Sequence, residues 1–384
     1  MSQLPAFLKP TITIEPFTVA IPDQDITEFK TLLKLSKLPP PTFEGQHRNF
    51  GVTSAWMRDA KAKWEKDYDW RATETKINSL PHFTAVVQDL RIHFVGMFSE
   101  DPNAIPLVLL HGWPGSFYEY HLLVKELRKS TSPSFHIIVP SLPGYTFSSP
   151  PPLDRDFGLA SVVQIMDELI TGLGLGDYIA VGGDIGAAVA MGLSSLPECR
   201  GVHLNMLFTK SQPEAQPEAS LPPHELAGLE RAKAWVETGR AYAIEHATRP
   251  STIAHALASS PLALLAWLAE KFLDWTDEDP SVEHILEMAS LWWFTETFPT
   301  SIYPYRELMR RRDDHDWCAI RKPFGYSWFP KELRPPPRSL VEAEGTLVYF
   351  NHHEKGGHFP GFENPAAHAG DIIAYVKELG KQAA

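Results

Sequence analysis

The sequence contains few cysteines, no excess of positive charge and no long hydrophobic run. Only two of its 384 residues are cysteines, Cys199 and Cys318. A disulfide-stapled scaffold is therefore excluded, and free thiols of this kind are typical of a reducing compartment. Aspartate and glutamate outnumber lysine and arginine by 47 to 35, which gives a formal net charge of −12. That balance argues against nucleic acid and anionic lipid as partners.

The hydrophobic segments are too short to cross a membrane. The longest purely apolar run, PLALLAWLA, covers only residues 261–269, whereas a membrane span needs roughly 20 residues. The first residues, MSQLPAFLKP, lack the apolar region of a signal peptide. These observations predict a cytoplasmic protein with no membrane partner.

The chain does contain enough apolar sequence for a large core. Hydrophobic residues make up 43% of it, so we expect a large α/β domain with an insertion. Residues 1–80 alternate short polar helices with prolines and predict an accessory N-terminal arm packed on a larger body. After residue 80, apolar runs that end in turns alternate with helical stretches. This alternation predicts a mostly parallel sheet covered on both faces by helices.

The alternation is interrupted between residues 208 and 320, where the pattern is helical and rich in tryptophan and leucine. Strand-like runs return with FGYSWFP at 324–330 and GTLVYF at 345–350. We therefore expect a core formed by residues 81–207 and 321–384, with residues 208–320 inserted as a helical cap. The cap would cover the carboxyl ends of the strands, where ligands bind in open α/β sheets.

A tight turn in YIAVGGDIGAAVA, residues 178–190, places an aspartate at a reactive position. Many hydrolases have a G-x-S-x-G elbow between a strand and a helix, with a nucleophilic serine at its centre. Here the central residue is Asp184, with glycines on both sides. A helix-capping role for Asp184 is the alternative, because aspartate is a common cap. The flanking glycines favour the nucleophile, because they suit a strained and closely packed backbone.

A second motif, HGWPG at 111–115, directly follows the apolar run LVLL and lies about 70 residues before the elbow. In hydrolases with this architecture, such a loop donates one backbone N–H to an oxyanion hole, and the residue after the nucleophile donates the other. Trp113 and Ile185 are the predicted donors. A plain Pro-Gly turn is the alternative.

The remaining members of a triad are expected near the C-terminus, because the chain order in such hydrolases is nucleophile, acid, histidine. His358 lies in GGHF, after the last predicted strand, and is the candidate base. Glu332 follows the strand FGYSWFP directly and is the best placed acid. The other acidic candidates in this region are Glu342, Glu344 and Glu354. The run His352-His353-Glu354 has no metal-binding spacing, so no metal site is predicted.

An aspartate nucleophile suits attack on saturated carbon, because it is anionic at neutral pH without a base. The alkyl ester that forms would then be hydrolysed by water activated by histidine. Epoxides and haloalkanes are the two substrate classes that fit. An epoxide oxygen needs a phenol-like donor, and the cap contains Tyr242, Tyr303 and Tyr305. Tyr303 and Tyr305 cannot both face one pocket on a helix, and the spacing alone does not choose between them.

These motifs together resemble the epoxide hydrolases of the α/β-hydrolase superfamily, of the microsomal type, in the fungal and bacterial branch that lacks a membrane anchor. The resemblance covers nearly the whole chain. It is carried by HGWPGSFYEY, LPGYTFSSP, VGGDIGAAVA, EHATRPSTIAHALASSPLALLAWLAEKF, YPYREL, FPKEL and GGHF, in this order.

The resemblance implies an α/β-hydrolase fold and an epoxide substrate that is opened to a diol with water. The family's nucleophile falls on Asp184, its acid on Glu332 and its base on His358. Its two ring-opening tyrosines fall on Tyr242 and Tyr305. It further implies that residues 1–80 form an N-terminal meander, that no cofactor or metal is needed, and that a homodimer is possible. A haloalkane dehalogenase and a ligand receptor without turnover are the competing interpretations, although the complete Asp/Glu/His set argues against a receptor.

Overall fold

The computed structural model describes residues 4–208, 221–309 and 319–382. Within these residues the chain forms one nine-stranded sheet flanked by helices. The strands are β1 (Ile14–Phe17), β2 (His82–Val87), β3 (Leu90–Met97), β4 (Ile105–Leu110), β5 (Phe135–Pro140), β6 (Tyr178–Gly182), β7 (Cys199–Leu204), β8 (Phe324–Trp328) and β9 (Leu347–His352).

The sheet is antiparallel at one side and parallel over the rest. Its strand order is β1-β2-β3-β5-β4-β6-β7-β8-β9. The pairs β1–β2, β2–β3 and β3–β5 are antiparallel. The pairs β5–β4, β4–β6, β6–β7, β7–β8 and β8–β9 are parallel. Central strands such as β4 and β6 are buried almost throughout, which explains their continuous apolar sequence. The predicted mostly parallel sheet flanked by helices is confirmed.

The helices fall into three groups along the chain. The N-terminal group is α1 (Asp23–Leu35), α2 (Ser54–Lys66) and α3 (Trp70–Ile77). Helices between strands of the sheet are α4 (His121–Leu127), α5 (Leu159–Gly172) and α6 (Asp184–Leu193). Between β7 and β8 lie α7 (Pro223–Ala234), α8 (Ala241–Thr248), α9 (Pro250–Ala258), α10 (Pro261–Trp275), α11 (Val282–Thr295), α12 (Phe298–Ser301) and α13 (Tyr305–Leu308). The chain continues with α14 (Arg338–Ala343), α15 (Pro360–Glu363) and α16 (Pro365–Gln382).

The N-terminal segment contacts both the sheet and the inserted helices. Its strand β1 pairs with β2 at the edge of the sheet, an element that we did not predict from the sequence. Its helices pack on α11, where the Trp64 indole N–H donates a hydrogen bond of 3.0 Å to Ser290 Oγ. The Phe29 ring lies 5.2 Å from that of Phe294. The segment therefore links the helices α10 and α11 to the body of the protein.

The inserted helices α7–α13 contact the loops that follow the strands. The Trp292 indole N–H donates to the Pro114 carbonyl at 2.8 Å. The apolar run at 261–269 lies within α10 and is largely buried.

No single described helix is long and apolar enough to span a membrane; only α9 and α10 together pass by length and composition, and they are bent by 119°. Cys199 is buried as a free thiol, whereas Cys318 lies outside the described residues.

Candidate active site

The elbow holds Asp184 in a strained backbone conformation. β6 ends at Gly182 and α6 begins at Asp184, whose φ of +49° is one that non-glycine residues rarely adopt. A Cβ atom at Gly186 would overlap the Leu110 carbonyl oxygen, so glycine is required there for the close approach of α6 to β4. Gly183 occupies the N-cap position of α6. Asp184 is therefore not the capping residue of the alternative interpretation.

The HGWPG loop lies directly beside the elbow. The Trp113 backbone N–H donates a 2.9 Å hydrogen bond to Asp184 Oδ1. A Cβ atom at Gly112 would overlap the Asp184 side chain, so this glycine allows the loop to come close. Ile185 lies in the first turn of α6, where backbone N–H groups have no acceptor within the helix. The Trp113 N–H therefore contacts the carboxylate, and Ile185 directly follows Asp184 in the chain.

His358 joins Asp184 to Glu332. Its Nδ1 lies 2.7 Å from Glu332 Oε1, and its Nε2 lies 3.4 Å from Asp184 Oδ2. Both His358 and Glu332 are buried, with exposed fractions of 4% and 1%. Burial lowers the pKa of His358, but the Glu332 carboxylate and the hydrogen bond to Asp184 outweigh it and raise this pKa to about 10. Of the other acidic candidates, Glu342 pairs with Arg338.

Two residues that we did not predict hold the loops of this triad. The His358 backbone N–H donates to the Trp275 carbonyl at 2.8 Å, and the two rings meet edge to face at 5.1 Å. The Arg231 Nε donates at 2.7 Å to the backbone carbonyl of Glu332. These contacts join α10 to His358 and α7 to Glu332. No local sequence pattern predicts them, because each hydrogen bond involves a backbone group of a distant segment.

Tyr242 and Tyr305 lie side by side against Trp113 of the HGWPG loop. Their ring centroids are 5.7 Å apart, and the Trp113 indole stacks on Tyr242 at 5.3 Å. Burial and the Asp184 carboxylate raise the pKa of Tyr242 well above its usual range. Burial also raises the pKa of Tyr305, and Tyr242 and the Asp184 carboxylate contribute to this rise. Both phenols therefore remain protonated donors at neutral pH.

Tyr303 faces elsewhere. Its hydroxyl donates at 3.1 Å to the carbonyl of Pro143, and its ring packs edge to face on Phe157 at 5.3 Å. Pro304 is the N-cap residue of α13, so that Tyr305 becomes the first helical residue. The proline therefore starts this short helix without interrupting it.

A buried cation lies against one of the phenols. Lys271 on α10 is 2% exposed, and its ammonium lies 4.8 Å from the centre of the Tyr242 ring. It also forms an ion pair with Glu270. Lysine is rarely buried unless it is paired or has a role. The sequence signal for this buried cation is the place of Lys271 within the largely apolar helix α10.

Among the residues that the structure describes, no group of three or more histidine, cysteine, aspartate or glutamate side chains is arranged to hold a metal ion. The histidines next to Glu354 have other contacts. His353 Nε2 lies 2.6 Å from Asp371 Oδ2, and the His352 ring packs on that of Trp328 at 4.7 Å. His352 is the last residue of the edge strand β9, and His353 follows it.

The fold defines the class: an α/β hydrolase, here with a carboxylate at the elbow between β6 and α6. Residues 14–120 match the family model described as the N terminus of epoxide hydrolases, and residues 105–284 match that of the α/β-hydrolase fold. The chain is similar to the epoxide hydrolase structure from Aspergillus niger, with 45% identity over 96% of this chain and 97% of that chain and a TM-score of 0.91.

Two animal relatives align over a similar length. A juvenile hormone epoxide hydrolase structure from Bombyx mori has 28% identity over 98% of this chain and 96% of that chain, with a TM-score of 0.89. Epoxide hydrolase 1 of Sus scrofa has 27% identity over 96% of this chain and 90% of its own. The chain therefore belongs to the epoxide hydrolase family of α/β hydrolases and is an enzyme.

Proposed function

We propose that the protein hydrolyses an apolar epoxide to a vicinal diol through an ester formed on Asp184. The observation that carries this proposal is the position of the Asp184 carboxylate. It lies between the His358–Glu332 pair and the HGWPG loop, which packs on the buried phenols of Tyr242 and Tyr305. Opening an epoxide requires a nucleophile at carbon and a donor for the ring oxygen. Relatives named epoxide hydrolases, similar over nearly the whole chain, support the same substrate class.

In the first step, Asp184 attacks one ring carbon. Trp113 N–H holds Oδ1, which leaves Oδ2 as the attacking oxygen. As the new bond forms, the carbon–oxygen bond of the ring breaks and its electron pair passes to the ring oxygen. That oxygen takes a proton from Tyr242 or Tyr305. The products are an alkyl ester with a neighbouring alcohol, and a tyrosinate.

In the second step, water hydrolyses the ester. His358 takes a proton from water as the water oxygen bonds to the Asp184 carbonyl carbon. The charge that develops on Oδ1 is stabilised by the N–H groups of Trp113 and Ile185. The bond between the Asp184 carbonyl carbon and Oδ2 then breaks. Oδ2 leaves with the diol and takes the proton from His358. Asp184 is left as an acid and returns its proton to the tyrosinate, so one water is consumed per epoxide.

The test is a single turnover of styrene oxide with excess enzyme in ¹⁸O-labelled water. The ester mechanism predicts an unlabelled diol, because the new diol oxygen comes from Asp184, and it predicts label in the enzyme. A second turnover with the recovered enzyme would then release label. A labelled diol in the first turnover would contradict the ester.

Dehalogenation of a haloalkane is the second candidate. It is favoured by the Trp113 indole Nε1, which is buried and has no acceptor among the described residues, because a leaving halide binds to N–H donors. The two phenols favour the epoxide, since they can protonate an alkoxide. Incubation with 1-chlorohexane distinguishes the two: the proposal predicts no chloride release, whereas steady release would favour the dehalogenase.

A further inference from the structure

A small buried cavity lies beside the nucleophile. Its volume is about 10 Å³, close to the roughly 10–15 Å³ that one water molecule requires. Every residue around it is buried: Gly112, Glu119, Tyr120, Gly183, Asp184, Asn205, His358, Phe359 and Pro360. A buried water typically has two to four polar partners. The polar side chains in this lining that the proposed mechanism does not use are those of Glu119, Tyr120 and Asn205.

Glu119 brings a carboxyl group to the cavity from the turn Phe117–Tyr120, just after the HGWPG loop. The residue is 7% exposed. A Cβ atom at Gly115 would overlap Glu119 Oε2, so the glycine provides the space in which this carboxyl lies. Burial raises the pKa of Glu119 to about 8, and the Asp184 carboxylate contributes. At neutral pH the group is therefore a carboxylic acid, with one O–H donor and free acceptor positions.

Asn205 supplies an unused donor at the same cavity. It directly follows β7 and is 2% exposed. Its Nδ2 is buried and has no acceptor among the described residues. Its Oδ1 packs against the elbow, where a Cβ atom at Gly183 would lie only 2.6 Å from it. Because buried donors in folded proteins almost always have a partner, this amide indicates an acceptor in the cavity.

We propose that this cavity holds the water molecule that hydrolyses the Asp184 ester, and that Glu119 and Asn205 are its positioning residues. The inference rests on the proposed function, because it requires the ester. A water here accepts from Asn205 Nδ2, donates one hydrogen to a Glu119 oxygen and donates the other to His358 Nε2. Its oxygen then bonds to the Asp184 carbonyl carbon while His358 takes the proton, as in the second step above.

The experiment separates the two half-reactions by rapid mixing of each variant with styrene oxide, followed by quenching and mass analysis. In Glu119→Leu, ester formation should stay within about three-fold of wild type, while ester hydrolysis slows about 100-fold, the usual cost of a misplaced reactant. Asn205→Leu should show the same pattern, with a smaller loss. Glu119→Gln keeps a donor and an acceptor of the same size, and should lose less than about ten-fold.

The outcomes distinguish this inference from the proposed function. Accumulation of the ester in Glu119→Leu, with partial rescue by glutamine, supports the positioning role. Equal losses in both half-reactions would indicate a structural role only, and unchanged hydrolysis would show that the water binds elsewhere; either result overturns the inference. Absence of any ester, even in His358→Gln, would instead refute the proposed function. If Glu119→Leu does not fold, Asn205→Leu gives the same readout.

Discussion

Replacing Asp184 by asparagine should sharply lower the pKa of His358. The substitution keeps the shape of the side chain and removes its negative charge, as ester formation would. His358 Nε2 lies 3.4 Å from Asp184 Oδ2, and both the hydrogen bond and the charge of Asp184 raise the pKa of His358. The Glu332 contact at 2.7 Å is retained in this variant.

The size of the effect follows from the distance. Two unit charges 3.4 Å apart interact by about 5 kcal/mol at an effective dielectric constant of about 20. Since 1.36 kcal/mol corresponds to one pH unit, the pKa should fall by roughly three to four. From about 10 in the free enzyme, the pKa of His358 would then be close to neutrality. Ester formation would thus let His358 release its proton to solvent and act as a base, and His358 would take up a proton again once the Asp184 carboxylate is restored.

The assay is an NMR titration of histidine side chains labelled with ¹³C and ¹⁵N, in wild type and in Asp184→Asn. The His358 signal is identified by its absence in His358→Gln. The His358 ring of wild type should remain protonated through neutral pH, whereas that of the asparagine variant should lose its proton between about pH 6 and 7. A His358 pKa within about one unit of the wild-type value would refute the idea that Asp184 controls this base.

Three further perturbations test other parts of the site. Tyr242→Phe should slow ester formation about 10²–10³-fold, as expected for loss of one donor to a developing oxyanion, whereas Tyr303→Phe should have little effect; stopped-flow tryptophan fluorescence measures both. Gly186→Ala should cost about 3 kcal/mol of unfolding free energy in urea, because its Cβ atom would overlap the Leu110 carbonyl, whereas Gly370→Ala, with no atom near its Cβ position, should not destabilise; equal midpoints would contradict the packing argument. Lys271→Met should slow ester formation about ten-fold and leave hydrolysis unchanged, because the cation over the ring favours charge on Tyr242; an unaltered ester-formation rate would show that the cation has no such effect.

The residues that the structure brings together here each lie in a short motif at a strand end, so local sequence signals point to them. Glycine spacing points to Asp184, and chain order points to His358 and Glu332 among many histidines and acids. The fold class followed from apolar runs that alternate with helical stretches. These signals are local, so they do not depend on how distant segments pack.

Other features depend on contacts between distant segments and could not be read from spacing. Tyr303 is held by the carbonyl of Pro143, and only this tertiary contact separates it from Tyr305. Arg231 acts on the backbone of Glu332, which carries no sequence signature. Glu119 lies within a motif that we recognised, but the direction of its side chain depends on the space left by Gly115.

The central claim is that the carboxylate of Asp184 becomes covalently attached to substrate. The most direct measurement is intact and peptide mass spectrometry of His358→Gln after exposure to styrene oxide, since this variant should form the ester but hydrolyse it slowly. The account predicts one epoxide adduct per chain, located on the peptide that contains Asp184 and absent from Asp184→Asn. An adduct on another residue, or turnover of styrene oxide by wild type with no adduct in His358→Gln, would contradict it.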